Sequence, residues 1–191
     1  SRGHCKKLAL MSAAKPKVSL GIPLYNESEF LEVTIISLLN QSFKDIEIIA
    51  IDNNSSDDSF KILEKYSKKD NRLKIYKNKA NIGQSENFNL VFEKSEGEYF
   101  SWIGAHDKYE KNYVEKLVNK FKKNQNISVA FSNVSNIDKK GNYINLEKDI
   151  GFELKNKSSL FRLLELPRVI KGSGDIVMGM YKKDLLRKTT L

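Results

Sequence analysis

Cysteine, histidine and long apolar runs are all scarce in this chain of 191 residues, and each scarcity excludes something. The single cysteine, Cys5, allows no intrachain disulfide and no cysteine-built metal site, which fits a reducing compartment. No apolar run reaches the ~18–20 residues that a membrane-spanning helix needs. No Gly-x-Gly-x-x-Gly follows the first predicted strand, and Gly172-Ser173-Gly174 is too late and too short to serve, so a dinucleotide oxidoreductase is disfavoured. There is no recognition-helix, zinc or aromatic-platform motif, so the formal net charge of +9 is the only support for a nucleic-acid-binding protein. Internal repeats and low-complexity linkers are also missing.

What is present is enough apolar content, 40% of residues, to build one sizeable core. Residues 1–15 read as a disordered leader, with Leu8–Ala14 only faintly like a signal peptide and His4 idle. Lys17–Pro23, between Pro16 and Pro23, predicts the first strand. A helix follows to Asn40, capped by Asn26 or Ser28. Asp45–Ile51 alternates too little for a one-faced strand and predicts one covered on both sides. Ser56–Lys69 (helix), Arg72–Tyr76 (strand), Gly83–Lys94 (helix), Glu98–Ile103 (strand) and Lys111–Lys123 (helix) continue the alternation. The fold class is therefore α/β, a mostly parallel, Rossmann-like sheet with helices on both faces. Beyond residue 126 the pattern changes. Ile127–Phe131, Val134–Ile137 and Tyr143–Leu146 read as strands, with a hairpin turn at 138–142. Ser158–Leu164 reads as a short helix, Asp175–Met180 as a strand and Lys183–Arg187 as a helix start. The division is 16–125 and a smaller mixed part at 126–191, two halves of one domain.

Polar turns at the carboxyl ends of the strands are where an open α/β sheet collects its ligand. Asp52-Asn53-Asn54-Ser55 follows the second strand; the Asp52 carboxylate can accept from a base N–H or a ribose hydroxyl, yet the segment reads equally as a turn with Ser56 as a helix cap. Pro23-Leu24-Tyr25-Asn26-Glu27 can present backbone groups and a ring face to a flat base, or can be a plain helix entry. Asn81, Gly83 and Asn87 can face sugar hydroxyls or phosphates, or can cap and line a helix. Gly104-Ala105-His106-Asp107 follows the fourth strand, and an imidazole beside a carboxylate can ligate a divalent cation, Mn²⁺ more readily than Mg²⁺.

Taken together, Val18–Glu27, Leu38-Leu39-Asn40-Gln41-Ser42-Phe43, Glu47–Asp57, Asn81-Ile82-Gly83 and Gly97-Glu98-Tyr99-Phe100 resemble, in order and spacing, the family-2 inverting glycosyltransferases of the GT-A fold. The likeness covers about residues 17–125, with Gly179–Lys183 a looser continuation. The resemblance implies a nucleotide-diphosphate sugar donor, a UDP-sugar first, bound in the 16–125 half through Pro23, Tyr25, Asn26, Glu27, Asp52, Asn54, Ser55, Asn81, Gly83, Asn87 and His106. It implies Mn²⁺ or Mg²⁺ at His106 and Asp107 to neutralise the leaving diphosphate. It also implies transfer with inversion to an acceptor hydroxyl, on a saccharide or lipid-linked acceptor held by the 126–191 half, in surface polysaccharide or glycolipid synthesis. The expected location is cytoplasmic, with peripheral contact at the inner face of an anionic membrane.

Two departures from the family pattern stand out. Gly104 and His106 replace acids of its acidic motif, and Lys108 follows Asp107 where a further acid is common. The general base is expected beyond Leu191, in a chain read as truncated, with Asp175 the stand-in. A donor-binding domain without turnover is therefore the alternative, and a basic nucleic-acid-binding protein the remote one.

Overall fold

A computed structural model of the chain describes residues 15–139, 141–146 and 178–188. Four strands, β1 (Val18–Leu24), β2 (Ile46–Asp52), β3 (Leu73–Lys77) and β4 (Tyr99–Trp102), run parallel. They alternate with the helices α1 (Leu31–Leu39), α2 (Ser59–Ser67), α3 (Gln84–Lys94) and α4 (Tyr113–Lys123). After α4 come β5 (Val129–Ala130), β6 (Ser135–Ile137), β7 (Tyr143–Leu146), β8 (Met180–Lys182) and the short α5 (Lys183–Leu186). The six-stranded sheet has the order β3-β2-β1-β4-β8-β5, and β6 and β7 form a separate antiparallel hairpin.

The strand order reverses between β1 and β4. β1 pairs with β2 from Val18↔Ile46 to Leu24↔Asp52, and with β4 from Val18↔Tyr99 to Gly21↔Trp102. Connections that leave to opposite sides at such a point open a crevice at the strands' carboxyl ends. β8 joins the far side of β4 antiparallel, with Tyr99↔Lys182, and β5 closes the edge through Val129↔Tyr181 and Ala130↔Met180.

Every residue of β2 is buried, Glu47 and Asp52 included, as its lack of apolar–polar alternation predicts. Its side chains divide by the strand period of two. Ile46, Ile48 and Ala50 join Leu20 and Ile22 of β1 beneath α1, α2 and α4, where Leu31, Ile35, Leu63, Leu117 and Phe121 pack. Ile49 and Ile51 face the other way, into a cluster with Val91 and Phe92 of α3 and Phe100 and Trp102 of β4. Gly21 belongs to this second face. A Cβ there would collide with Val91 Cγ1 and come within 2.9 Å of two carbons of the Phe100 ring. The missing side chain lets α3 lie close against β1.

The predicted elements recur, with shifted ends. α1 starts at Leu31 with no side-chain cap, so neither Asn26 nor Ser28 caps it; a turn over 28–30 intervenes, and the amides of Phe30 and Leu31 donate to Glu27 O. α2 starts at Ser59 rather than Ser56, because Ser56 is drawn to Asn26. The strand expected at Ile127–Phe131 shrinks to Val129–Ala130, where β8 supplies a pairing partner. Of the strand expected at Asp175–Met180, residues 175–177 lie outside the described residues, and the described strand runs Met180–Lys182. The helix expected at Ser158–Leu164 lies outside the described residues, as does Asp175.

Gly21→Ala should lower the unfolding free energy by about 1–3 kcal/mol, the usual range for overpacking a filled core. Adding Val91→Ala should restore part of that loss, read as non-additivity in urea denaturation. An unchanged midpoint in the single variant would mean that α3 can step back freely.

Candidate active site

At the crevice, the loops after β1 and β2 are laced together by hydrogen bonds that run both ways. The amide of Asn26 donates to Ser55 Oγ, that of Glu27 to Ser59 Oγ and that of Ser28 to Asp57 Oδ2, each at 2.9 Å. In return the amide of Ser56 donates to Asn26 Oδ1 at 2.9 Å, and that of Asn53 to Leu24 O at 2.8 Å. Asn26 reaches this position through a left-handed backbone, φ 57, which asparagine tolerates. The polar run Asp52–Ser59 is thus neither only a turn nor only a helix cap. It is an acceptor array that holds the Pro23–Ser28 loop.

Asp52, fully buried at the end of β2, anchors the array from beneath. Its carboxylate accepts from the amide of Ser55 at 3.2 Å and from Ser55 Oγ, with Lys77 Nζ 3.6 Å away. The Asp57 carboxylate is half-buried, which works against its charge. Hydrogen bonds from Ser59 and Ser28 outweigh that burial and lower its pKa to about 2.

A second network braces the start of α3. The buried Asn53 donates through Nδ2 to Asn81 Oδ1 at 2.8 Å and to Gly83 O at 3.1 Å. Its Oδ1 accepts from Asn78 Nδ2 at 2.9 Å and from the Ile82 amide at 3.0 Å. Asn78 also donates to Asn87 Oδ1 at 3.0 Å, and Asn87 Nδ2 to Ile51 O at 3.1 Å. With both ends of its amide used twice, Asn53 fixes the 78–83 loop against β2, and Gly83 turns into the helix at φ 88.

Between these two frames lies a cavity of about 510 Å³. Pro23, Leu24, Tyr25 and Glu27 line it from β1, Asn53 from β2, Asn81, Gly83, Gln84, Asn87 and Phe88 from α3 and the loop before it, and Ile103, Gly104, Ala105 and His106 from the end of β4; Met178 completes the wall. Of the predicted donor residues, Pro23, Tyr25, Glu27, Asn81, Gly83, Asn87 and His106 therefore meet in one space. Asp52 and Ser55 are buried behind the wall, and Asn26 and Asn54, both exposed, do not line it. Asn53, Gln84, Phe88 and Met178 were not foreseen. Asn53 could have been, as the residue directly after a buried strand.

His106 and Glu27 meet at the mouth, Nδ1 to Oε2, at 3.3 Å. Asp107 points elsewhere. Its carboxylate lies over Gly104, where a Cβ would collide with Oδ2, and accepts from the Tyr109 hydroxyl at 3.4 Å. Burial, and then the Asp107 charge, raise the Tyr109 pKa, so this hydroxyl stays a donor. The Tyr109 oxygen in turn accepts from the Gly104 amide at 3.2 Å. Among the described residues no three His, Cys, Asp or Glu side chains converge. This donor set does not hold a metal ion by protein alone. It fits an ion that brings phosphate oxygens and water for most of its positions, as Mg²⁺ commonly does.

Because the folded-state pKa of Asp57 lies below the ~3.9 of a free aspartate, its stabilisation is complete above about pH 4 and is lost as pH falls toward 2. The stability gap between the wild type and Asp57→Asn, measured by urea unfolding, should be widest near neutral pH and should close across that window. A gap independent of pH would place the contribution of Asp57 in something other than its charge.

Comparisons with known proteins bear on the family and the fold. An uncharacterized glycosyltransferase of Haemophilus influenzae is 33% identical over 131 residues, covering 69% of this chain and 52% of its own length. The GalNAc(5)-diNAcBac-PP-undecaprenol beta-1,3-glucosyltransferase of Campylobacter jejuni is 31% identical over 172 residues, 90% of this chain and 53% of its own. Among solved structures, S. aureus TarS 1-349 in complex with UDP-GlcNAc superposes with a TM-score of 0.70 at 21% identity, covering 90% of this chain and 47% of that one. The mannosyltransferase PcManGT from Pyrobaculum calidifontis, in complex with GDP-Man and Mn²⁺, gives 0.65 at 13% identity, covering 91% and 46%. The chain thus spans about half the length of these relatives, and the solved structures show that it shares the GT-A architecture. The family described as Glycosyl transferase family 2 matches residues 19–188, and the chain belongs to it.

Proposed function

We propose that the cavity binds a nucleotide-diphosphate sugar, a UDP-sugar first, and that the protein transfers the sugar with inversion to a hydroxyl of a saccharide or lipid-linked acceptor, in surface polysaccharide or glycolipid synthesis. The observation that carries this reading is a single cavity at the sheet's reversal point, lined by the Pro23–Glu27 loop, an amide-rich helix entry and the His106 loop. The TarS complexes with UDP and UDP-GlcNAc and the PcManGT complex with GDP-Man support a nucleotide-sugar donor. The Campylobacter jejuni relative, by its name a glucosyltransferase acting on an undecaprenol-linked saccharide, supports the acceptor class.

In this reading the base lies against the Pro23–Glu27 loop, with Tyr25, 46% exposed, offering a ring face. Asp52 lies behind the wall, so for its carboxylate to accept a base N–H, Ser55 would have to turn aside and give up its own bond to Asp52. Asn81, Gly83 and Asn87 set the ribose and phosphate end, where the free amides at the start of α3 favour negative charge. Mn²⁺ or Mg²⁺ bound with the diphosphate would neutralise the leaving group, with His106, Glu27 and Asp107 as the residues available to hold it. An acceptor hydroxyl then attacks the anomeric carbon from the face opposite the diphosphate as a carboxylate takes its proton. Asp175 is the stand-in for that base. A second reading, donor binding without turnover, is favoured by Gly104 and by the diversion of the Asp107 carboxylate to Tyr109.

A thermal-shift panel of UDP-, GDP- and dTDP-sugars, with and without Mn²⁺, tests the donor site. A true donor at about 100 times its Kd should add ~2.7 kcal/mol of stability. Asp52→Ala should abolish the shift while Ser55→Ala leaves it. Equal loss in both would make Asp52 a residue that positions the loop, and no shift with any nucleotide would overturn the donor reading. Assaying sugar transfer alongside binding separates the two readings.

A further inference from the structure

Outside residues 108–124 some of the described lysines are paired and others, Lys15, Lys44, Lys68, Lys69, Lys79, Lys94, Lys182 and Lys188, have no carboxylate partner among the described residues. Lys17, Lys61, Lys65, Lys74, Lys77 and Lys139 have carboxylate partners, and the ammonium of Lys183 donates to Ser95 O beside the Phe92 ring. In residues 108–124, with six lysines against two glutamates, none of the lysines is paired. Among the described residues, Lys108, Lys111, Lys116, Lys120, Lys122 and Lys123 have no carboxylate partner, and all six are exposed. Lys116, Lys120 and Lys123 fall at the spacing that puts side chains on one face of a helix. That face is opposite the buried Val114, Leu117, Val118 and Phe121, so the charge points to solvent.

Elements bonded to the loop that leads into α4 expose apolar side chains. Val33 and Ile36 on the outer face of α1 are 48% and 41% exposed, and Tyr143 and Ile144 on the β6–β7 hairpin are 67% and 61% exposed. One loop ties these parts into a single surface. Thr34 Oγ1 donates to Ala105 O at 2.9 Å and to Asp107 O at 2.8 Å, and the Tyr109 amide donates to Ser37 Oγ at 3.2 Å. Gln41 Nε2 donates to Glu110 O at 2.8 Å, and Tyr143 OH donates to Glu110 Oε1 at 3.4 Å. Lys139 closes the ring by pairing with Glu29 at 2.7 Å, just ahead of α1.

We propose that this face, the exposed sides of α1 and α4 with the β6–β7 hairpin, is a docking surface for an anionic lipid membrane. Two terms act together at such an interface. Unpaired cations are attracted to anionic headgroups, and apolar side chains enter the boundary between headgroup and acyl chain. A soluble polyanion offers only the first, so the exposed Val33, Ile36, Tyr143 and Ile144 favour a lipid surface over a nucleic acid. The 104–111 loop belongs to both the docking face and the cavity wall. Docking therefore sets the mouth of the cavity near the headgroup plane, where a lipid-linked acceptor would present its hydroxyl. This last consequence rests on the proposed function; the docking itself does not.

Co-sedimentation with vesicles, neutral phosphatidylcholine against a mixture with phosphatidylglycerol, tests the proposal with the full chain. Binding is expected only with the anionic vesicles, and it should weaken as salt rises and the screening length shortens. Each lysine at an anionic surface is worth about five-fold in partitioning. Lys116→Gln/Lys120→Gln/Lys123→Gln should thus reduce it about a hundred-fold, with the melting temperature and any UDP-sugar shift unchanged. Val33→Ser/Ile36→Ser should weaken vesicle binding and leave binding to a single-stranded oligonucleotide unaltered. No binding to anionic vesicles, binding indifferent to the lysine substitutions, or an oligonucleotide that binds while vesicles do not would each overturn the proposal. Loss of donor binding with vesicle binding intact would count only against the donor reading.

Discussion

The hydrogen bonds between the loops after β1 and β2 are the constraint on which the site depends. Three consecutive amides, of Asn26, Glu27 and Ser28, lie where the chain leaves a buried strand and has not yet entered a helix. Backbone donors in that position need acceptors, because leaving one unpaired and out of water costs about 1–3 kcal/mol. Ser55, Ser59 and Asp57 supply them. Once the loop is held, Tyr25 and Glu27 have fixed places on the cavity wall, and Glu27 is in reach of His106 across the crevice.

The frame around the cavity separates buried polar groups by task. At the amino ends of the strands, Glu47 is buried and receives Ser19 Oγ at 2.5 Å, the Glu96 amide at 2.7 Å and Lys74 Nζ at 2.7 Å. Burial acts against its charge, and these partners more than offset it, so its pKa stays below the ordinary carboxylate value. That cluster consumes its own hydrogen-bonding capacity and faces no cavity. At the carboxyl ends the charged Asp52 is also buried, beneath the loops, and the neutral amides of Asn53, Asn81 and Asn87 brace the wall itself. Neutral groups can be desolvated at the edge of a cavity at less cost than a charge.

The central strands and their helices were legible because β2 is mostly apolar with little alternation and the helices show their period. The helix starts were not, because Asn26 and Ser56 have side chains that suit a cap equally well as a bond across to another loop. Only the fold, by bringing residues 26 and 56 together, decides between these. The donor region was legible as a set of turns, and most of its predicted members do line one cavity. Which of them face it was not legible: Asp52, Asn53 and Asn54 are consecutive, and one anchors from beneath, one braces the wall and one points to solvent. The direction of Asp107 depends on the missing Cβ at Gly104 and on Tyr109.

The pairing of β5 with β8 carries a consequence of another kind. Val129 lies beside Tyr181 and Ala130 beside Met180, so the chain departs from the sheet and rejoins it at adjacent positions. Whatever is threaded between these two points need only close on itself, and the entropy of closure grows so slowly that doubling the length adds about 0.6 kcal/mol. The excursion, which includes the β6–β7 hairpin, can therefore change in length and content while the parallel strands and the loops bound to them keep their geometry. A fold arranged this way can vary one edge without rebuilding its centre.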